Sequence, residues 1–317
     1  MTHLPISALL FEPLFMERVW GGRRLESLFG KKLPLEKTIG ESWEITDRPE
    51  AQSVVRQGPW RGKTLHELWL NQRAEIFGAG LPDAPRFPIL AKLLDARQTM
   101  SLQVHPPASV AASLGGQSKS EVWYFAEADG GAEIFAGLRA GVRPNEFQQA
   151  LDDGTVAGLV PRLAVKTGDS FFVPSGRLHA IGGGNVIIEI QENSDTTYRV
   201  YDWARTDAGG PPRTLHIEQA MRSIDFTDFE PQLVRPNGEL IVHCPHFAVE
   251  KWDLPGPRAA NDRPAYTLFF CLSGAVETTG VQIQPGDFFL VPATAHAAPL
   301  QPRAPGTTLL RITQPPA

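Results

Sequence analysis

The order of apolar and polar residues points to short strands joined by turns over most of the chain, with helical periods in few places. Leu9 to Gly40 reads as an extended strand and then a loop, and Glu41 to Thr46 mixes apolar and polar residues at strand spacing. In Thr64 to Phe77 the period changes. Leu65, Leu68, Trp69 and Ile76 share one helical face, Thr64 suits the N-cap, and Glu67 completes a capping box. Pro82, Pro85 and Pro88 then mark a loop. Strands are expected at Ile89 to Leu94, at Met100 to Val104, and on either side of the turn Asp129-Gly130-Gly131, at Val122 to Phe125 and Ala132 to Phe135. Pro144 fits the first turn of a helix that ends near Leu151. Strand patterns return in LAVKTGDSFFVPSG from Leu163, then in NVIIEIQ and TYRVYDW. The proline- and charge-rich passage Asp207 to Pro236, with a short helical piece near Ile217 to Ser223, reads as a connection between domains. Another series of short strands starts near Leu240.

The tail repeats an earlier pattern. GDSFFVPSGRLHAI at Gly168 to Ile181 and GDFFLVPATAHAAP at Gly286 to Pro299 both run Gly-Asp, apolar residues, Pro, a turn and a His. A Gly-Asp turn leads into a buried strand, and Pro174 and Gly176 turn the chain so that His179 opens the return path. Two similar small β-barrels in tandem account for the echo. Gly168, Pro174, Gly176, His179 and Asn185 also resemble the second sequence motif of the cupin superfamily, with a longer final spacing to Asn185. The expected fold is therefore mainly β: two tandem cupin (jelly-roll) barrels with a small helical insertion. The first domain is expected at 1–235 and binds metal; the second, at 236–317, is a degenerate barrel without metal.

Composition narrows the setting. A chain of 317 residues with 42% hydrophobic and 21% charged residues is ordinary for a globular protein of one large or two modest domains. The net charge of −5 argues against a general nucleic-acid or anionic-membrane surface, so neither is expected as a partner. Cys244 and Cys271 are the only cysteines and form no CxxC, so buried free thiols and a reducing cytoplasm are expected. No signal peptide or membrane span is indicated at the start or elsewhere.

A cupin draws metal ligands from an earlier hairpin as well. Gln103 and His105 are two apart, so a strand presents them on one face, and Glu121 lies on the next strand candidate. With His179 they offer two imidazoles, one carboxylate and one amide oxygen. Such a set suits Zn²⁺ with a position left for water or substrate, and also suits Mn²⁺, Fe²⁺ or Co²⁺. His296 occupies the echoed position in the tail but lacks such partners in FFCLSGAVETTG.

More of the chain resembles one family, the type I mannose-6-phosphate isomerases in their short bacterial form. The resemblance is carried by VWGG at Val19 to Gly22, GESWEI at Gly40 to Ile45, KLLDARQTMSLQVHP at Lys92 to Pro106 and KSEVWYF at Lys119 to Phe125. Its most specific run is GDSFFVPSGRLHAIGGGNVIIEIQENSDTTYRVYDW, Gly168 to Trp203. The resemblance implies a metal-dependent aldose–ketose isomerase interconverting mannose 6-phosphate and fructose 6-phosphate through an enediol(ate). It implies one zinc per chain on Gln103, His105, Glu121 and His179, with Arg199, Glu189 and Lys119 as catalytic residues. Longer members carry a larger helical domain than the Thr64 to Phe77 helix and its surroundings, which bears on how substrate is enclosed.

The residues themselves add detail. Arginine inside the apolar strand pattern YRVYDW is costly unless paired, and its fork of donors suits a phosphate or a developing oxyanion. Glu189 is a candidate base or orienter; its structural alternative is an ion pair with Arg199 or Lys166. Ser101 should share a face with Gln103 and is a candidate phosphate ligand. Lys92 adds positive charge to the pocket or sits on a solvent-facing strand position, and Asp195 serves in acid–base work or in a turn. Trp20, Trp43, Trp123 and Trp203 lie near these motifs with no role assigned. Two rival functions stand beside the isomerase: a cupin oxygenase holding Fe²⁺ on two His and one carboxylate, and a sugar-binding cupin without turnover.

Overall fold

The computed structural model describes residues 7–203, 205 and 213–315. The chain is mainly β, and every pair of named strands is antiparallel. Two sheets hold the site. A six-stranded sheet runs in the order Leu14–Gly22, Ile39–Ile45, Ile89–Ala96, Asn185–Glu192, Glu121–Ala128, Ser170–Val173. A five-stranded sheet runs Tyr198–Tyr201, Leu102–Val104, His179–Ile181, Glu133–Ala136, Arg162–Ala164. The tail supplies most of a second six-stranded sheet and a four-stranded one.

Strand alternation sorts the side chains into layers. In Asn185–Glu192, Val186, Ile188 and Ile190 enter an apolar layer shared with the tail sheet, including Leu268, Phe270, Leu310 and Ile312. Ile187 points the other way, into a layer with Trp123, Phe125, Ile134 and Ile181 that joins the two site-bearing sheets. On the five-stranded sheet, Leu102, Val104, Ala180, Tyr198 and Val200 face outward onto Phe147 and Ala220 of the helices Pro144–Asp152 and Ile217–Ser223. The residues between them, Gln103, His179 and Arg199, therefore face the six-stranded sheet.

The sequence echo has a structural counterpart. Gly168 and Gly286 both take the left-handed conformation, at φ 90° and 88°, where a Cβ would be strained. Each N–H donates to a strand carbonyl, of Phe125 and Cys271 respectively, and those residues' N–H groups donate back to Asp169 and Asp287. The Asp169 carboxylate accepts from Lys166 N and that of Asp287 from Gln284 N, both three residues back. The registers match too: Glu121 pairs with Val173 as Thr267 pairs with Val291. After the strand the copies diverge. His179 begins a strand, whereas His296 closes a 3₁₀ turn with Nδ1 on the Ala293 carbonyl.

Several elements depart from expectation. The Thr64 cap and capping box form, but the helix is Leu65–Asn71 and continues as a π-helical turn, Arg73–Phe77. The wider turn brings Phe77 round to Trp69, with ring centroids 4.9 Å apart, and both rings pack on Phe87. A helix at Arg24–Phe29 interrupts the anticipated loop, and a short one follows at Ala108–Ala111. Leu9–Leu10 joins the tail sheet beside Phe288–Val291, so the start of the chain crosses to its far half. Of the anticipated connection, residues 207–212 lie outside the described residues; Ile217–Ser223 is the expected helix. Both cysteines are buried and unbridged. No helix among the described residues is long and apolar enough to cross a membrane.

Candidate active site

The turn before His179 is shaped by Gly176, which lies at φ 94° and donates its N–H to the His105 carbonyl. That bond sets the two histidine segments side by side, and His179 then pairs in register with Gln103. Glu121 arrives from the facing sheet. His105, Glu121 and His179 are all buried, and one ligand atom from each lies within 4.8 Å of the others, the single such grouping of His, Cys, Asp and Glu among the described residues. Glu121 Oε2 is 3.5 Å from His105 Nε2, and Oε1 is 3.5 Å from His179 Nε2.

The donor set fits a divalent metal. His105 Nδ1 lies 2.8 Å from the Thr196 carbonyl and His179 Nδ1 2.9 Å from the Arg177 carbonyl. A carbonyl only accepts, so each Nδ1 carries the proton and each Nε2 presents a lone pair toward Glu121, the arrangement that outer hydrogen bonds impose on metal-binding imidazoles. Burial and the neighbouring charges, Lys119 for His105 and His105 for His179, push both imidazoles down, His179 to about 3. Burial opposes ionisation of Glu121, but Lys119 and then His105 outweigh it and hold the carboxyl well below its usual range. Two neutral imidazoles and a carboxylate are the states a metal requires. Gln103 Nε2 stands 3.3 Å from His179 Nε2; turning the amide over would present its oxygen instead.

Above this centre opens a cavity of about 470 Å³, lined by Ser101, Gln103, Lys119, Glu189, Arg199 and Lys92 among others. Every sequence-picked residue outside the buried His-Glu-His cluster thus borders one space, Asp195 included. Lys119 is buried, with Nζ 2.6 Å from Glu121 Oε2 and 3.2 Å from His105 Nε2. Burial works against its charge, but Glu121 and then Glu189 raise its pKa. The loop bearing it is pinned by Glu192, whose Oε2 accepts from Ser120 N at 2.7 Å while its own N–H donates to the Ser120 carbonyl.

Glu189 is buried, with Oε2 accepting from Trp123 Nε1 at 3.1 Å and Oε1 3.5 Å from Lys92 Nζ. Lys92 is a partner the sequence reading did not name. Burial, followed by the Glu121 charge, raises the Glu189 carboxyl above its ordinary value. Lys92 is buried, not solvent-facing, and also lies 3.6 Å from Asp195, which is half-exposed. Ser101 Oγ donates to Gln103 Oε1 at 3.4 Å. Arg199 pairs in register with Gln103, and its Nη1 donates to the Thr214 carbonyl at 2.8 Å.

Sequence reasoning missed Arg18, Glu41 and Arg213, which also line the cavity. Glu41 accepts from Arg18 Nε at 2.9 Å and from Trp43 Nε1 at 2.7 Å. Burial opposes its charge, but Lys92 and Arg18 prevail and hold it at about 2. The GESWEI run puts Glu41 and Trp43 two apart on one strand face; the cavity that face borders is set by pairing with Ile89–Ala96. Arg213 is gripped by both Asp202 oxygens at 2.6 and 2.8 Å.

Comparison with known proteins agrees with this geometry. The profile described as "Phosphomannose isomerase type I, catalytic domain" matches residues 9–134. A protein of Bacillus subtilis named probable mannose-6-phosphate isomerase GmuF is 40% identical over 92% of this chain and 94% of its own. The mannose-6-phosphate isomerase of Streptococcus mutans is 38% identical over 89% of this chain and 93% of its own. The crystal structure of mannose 6-phosphate isomerase from B. subtilis superposes with a TM-score of 0.86 at 32% identity, covering 97% of this chain and 99% of that one. Identity at this level along nearly the whole chain places the protein in the type I phosphomannose isomerase family.

Proposed function

We propose that the cavity interconverts mannose 6-phosphate and fructose 6-phosphate, with one zinc ion held by His105, Glu121 and His179 and by the turned-over amide of Gln103. The observation that carries this reading is the meeting of a buried His-Glu-His set with Lys119, Glu189 and Arg199 at one cavity. A bound divalent ion would supply Lewis acidity toward the sugar's oxygens. The chain's own residues do the rest. Glu189 moves the proton between C1 and C2; burial lifts its carboxyl toward the range in which a base works well, and Trp123 and Lys92 fix its two oxygens. Arg199 cannot lose its charge and stabilises the enediolate oxygen. Lys119 keeps Glu121 ionised. Ser101 binds the phosphate, and Lys92 and Asp195 border the sugar.

The two site-bearing sheets form a cupin barrel, and the matched Gly-Asp turns and strand registers support a second, derived barrel at 236–317 beside a catalytic unit at 1–235. At the position of Glu121 the tail carries Thr267, buried and bonded to Asn261, so the copy offers no carboxylate there. Two buried, unbridged cysteines favour the cytoplasm.

A coupled assay for fructose 6-phosphate, run on protein as purified, after chelation and after Zn²⁺ is restored, tests the reading. Activity should vanish and return. Metal-restored protein that takes up oxygen without isomerising the sugar would instead establish the oxygenase.

A further inference from the structure

Arg199 lies on an edge strand. Tyr198–Tyr201 ends the five-stranded sheet, with Leu102–Val104 the one strand paired to it among the described residues. An edge residue leaves its main-chain N–H and C=O without a ladder partner on the outer side. Here one residue closes both. His216 N donates to the Arg199 carbonyl at 2.8 Å, and Arg199 N donates to His216 Nδ1 at 3.2 Å. Two residues earlier, the Thr214 carbonyl takes the guanidinium Nη1 at 2.8 Å. His216 is itself the start of the helix Ile217–Ser223, with its carbonyl accepting from Ala220 N. Ala220 packs in the same apolar layer as Tyr198 and Val200, the strand neighbours of Arg199.

We propose that His216 is the positioning residue for Arg199: its imidazole and its main-chain N–H take up the outward-facing backbone groups of Arg199, and segment 214–216 grips the arginine at both its backbone and its guanidinium. The inference rests on the isomerase reading of the cavity. A main-chain N–H can only donate, so Nδ1 must be an unprotonated acceptor and the proton must sit on Nε2. Burial and the Arg199 charge lower the pKa of His216, which agrees with a neutral ring. Without the acceptor, the Arg199 N–H loses this hydrogen bond at the strand edge. The strand then shifts toward any other acceptor, and the guanidinium moves with it.

Asparagine places an acceptor oxygen where Nδ1 stands; leucine has similar bulk and no acceptor. In His216→Leu, kcat should fall about tenfold with KM within about twofold, and His216→Asn should restore most of the loss. Metal content should match wild type in both, since His216 touches no ligand. In the wild-type protein, ¹⁵N-histidine NMR should show the His216 ring as the neutral Nε2–H tautomer, its signal identified by loss in His216→Asn. That measurement stands even where the leucine variant fails to fold. A Nδ1–H tautomer, a leucine variant with wild-type kcat, or equal losses in leucine and asparagine would each overturn the inference. Absence of isomerase activity in the wild-type enzyme would instead overturn the reading on which it rests.

Discussion

Replacing Lys119 with methionine separates the metal's part in the site from the lysine's. Methionine keeps an unbranched apolar stem and removes the ammonium group. In the metal-free site, Lys119 Nζ sits 2.6 Å from Glu121 Oε2 in a fully buried setting, so its loss strands a carboxylate away from water. Removing one partner of such a pair costs about 3–5 kcal/mol. In a chain of 317 residues that corresponds to a fall in Tm of roughly 5–8 °C. A dication held by His105, Glu121 and His179 neutralises the same oxygen and competes with the ammonium for it. The penalty should therefore shrink to about a third or less once zinc is bound. Thermal melting of wild type and Lys119→Met, each chelated and zinc-loaded, gives the four values. Because Lys119 also borders the cavity, turnover of the loaded variant should drop although most of its Tm is recovered. Equal losses of Tm with and without metal would refute the reasoning, since they would mean the ion does not share the Glu121 carboxylate.

Two further outcomes follow from the same geometry. Arg199→Ala should leave folding and metal content near wild type and lower kcat by roughly 10²–10³, with Arg199→Lys recovering only part; a loss confined to KM would make Arg199 a phosphate anchor instead. Glu41→Gln should flatten acid unfolding. The carboxyl is lowered from 4.5 to about 2, so its contribution of about 3 kcal/mol is present above pH 4.5 and lost as pH falls toward 2, and an unchanged pH slope in chemical denaturation across that window would count against the Lys92–Glu41–Arg18 cluster.

What could be read from the sequence, and what could not, divides along one physical line. Anything set by local period or by a turn was legible. The two-residue repeat put Gln103 on the opposite face from Leu102 and Val104, and the structure places it there. The Gly-Asp turn announced the strand that follows it in both places, because glycine takes the φ near 90° of Gly168 and Gly286 without strain. Strand neighbours were not legible, because no local signal specifies them. Glu41 and Lys92 are about fifty positions apart in the sequence, yet Ile39–Ile45 lies beside Ile89–Ala96 with Trp43 opposite Lys92. That adjacency alone makes Glu41 a cavity residue. The helix Arg24–Phe29 escaped for a different reason: Arg23 offers no side-chain cap, and only Leu25 and Phe29 are buried, too few to set a period.

The pairing of strands also separates the surroundings of His179 from those of His296. Both halves place a histidine after the same turn, so the histidine by itself distinguishes nothing. The difference lies one strand away, at the residue opposite Val173 or Val291. In the first half that residue is Glu121, whose buried charge Lys119 compensates, with His105 and His179 each 3.5 Å away. In the tail it is Thr267, which Asn261 satisfies with one neutral hydrogen bond. A neutral hydroxyl demands no cation, and nothing holds His296 toward it: its ring turns back to its own 3₁₀ carbonyl. A buried carboxylate organises its surroundings, whereas a threonine only joins them. The acidic position on that strand, more than the histidine motif, is thus where a sequence of this architecture reveals whether the histidine after the turn has a carboxylate to meet.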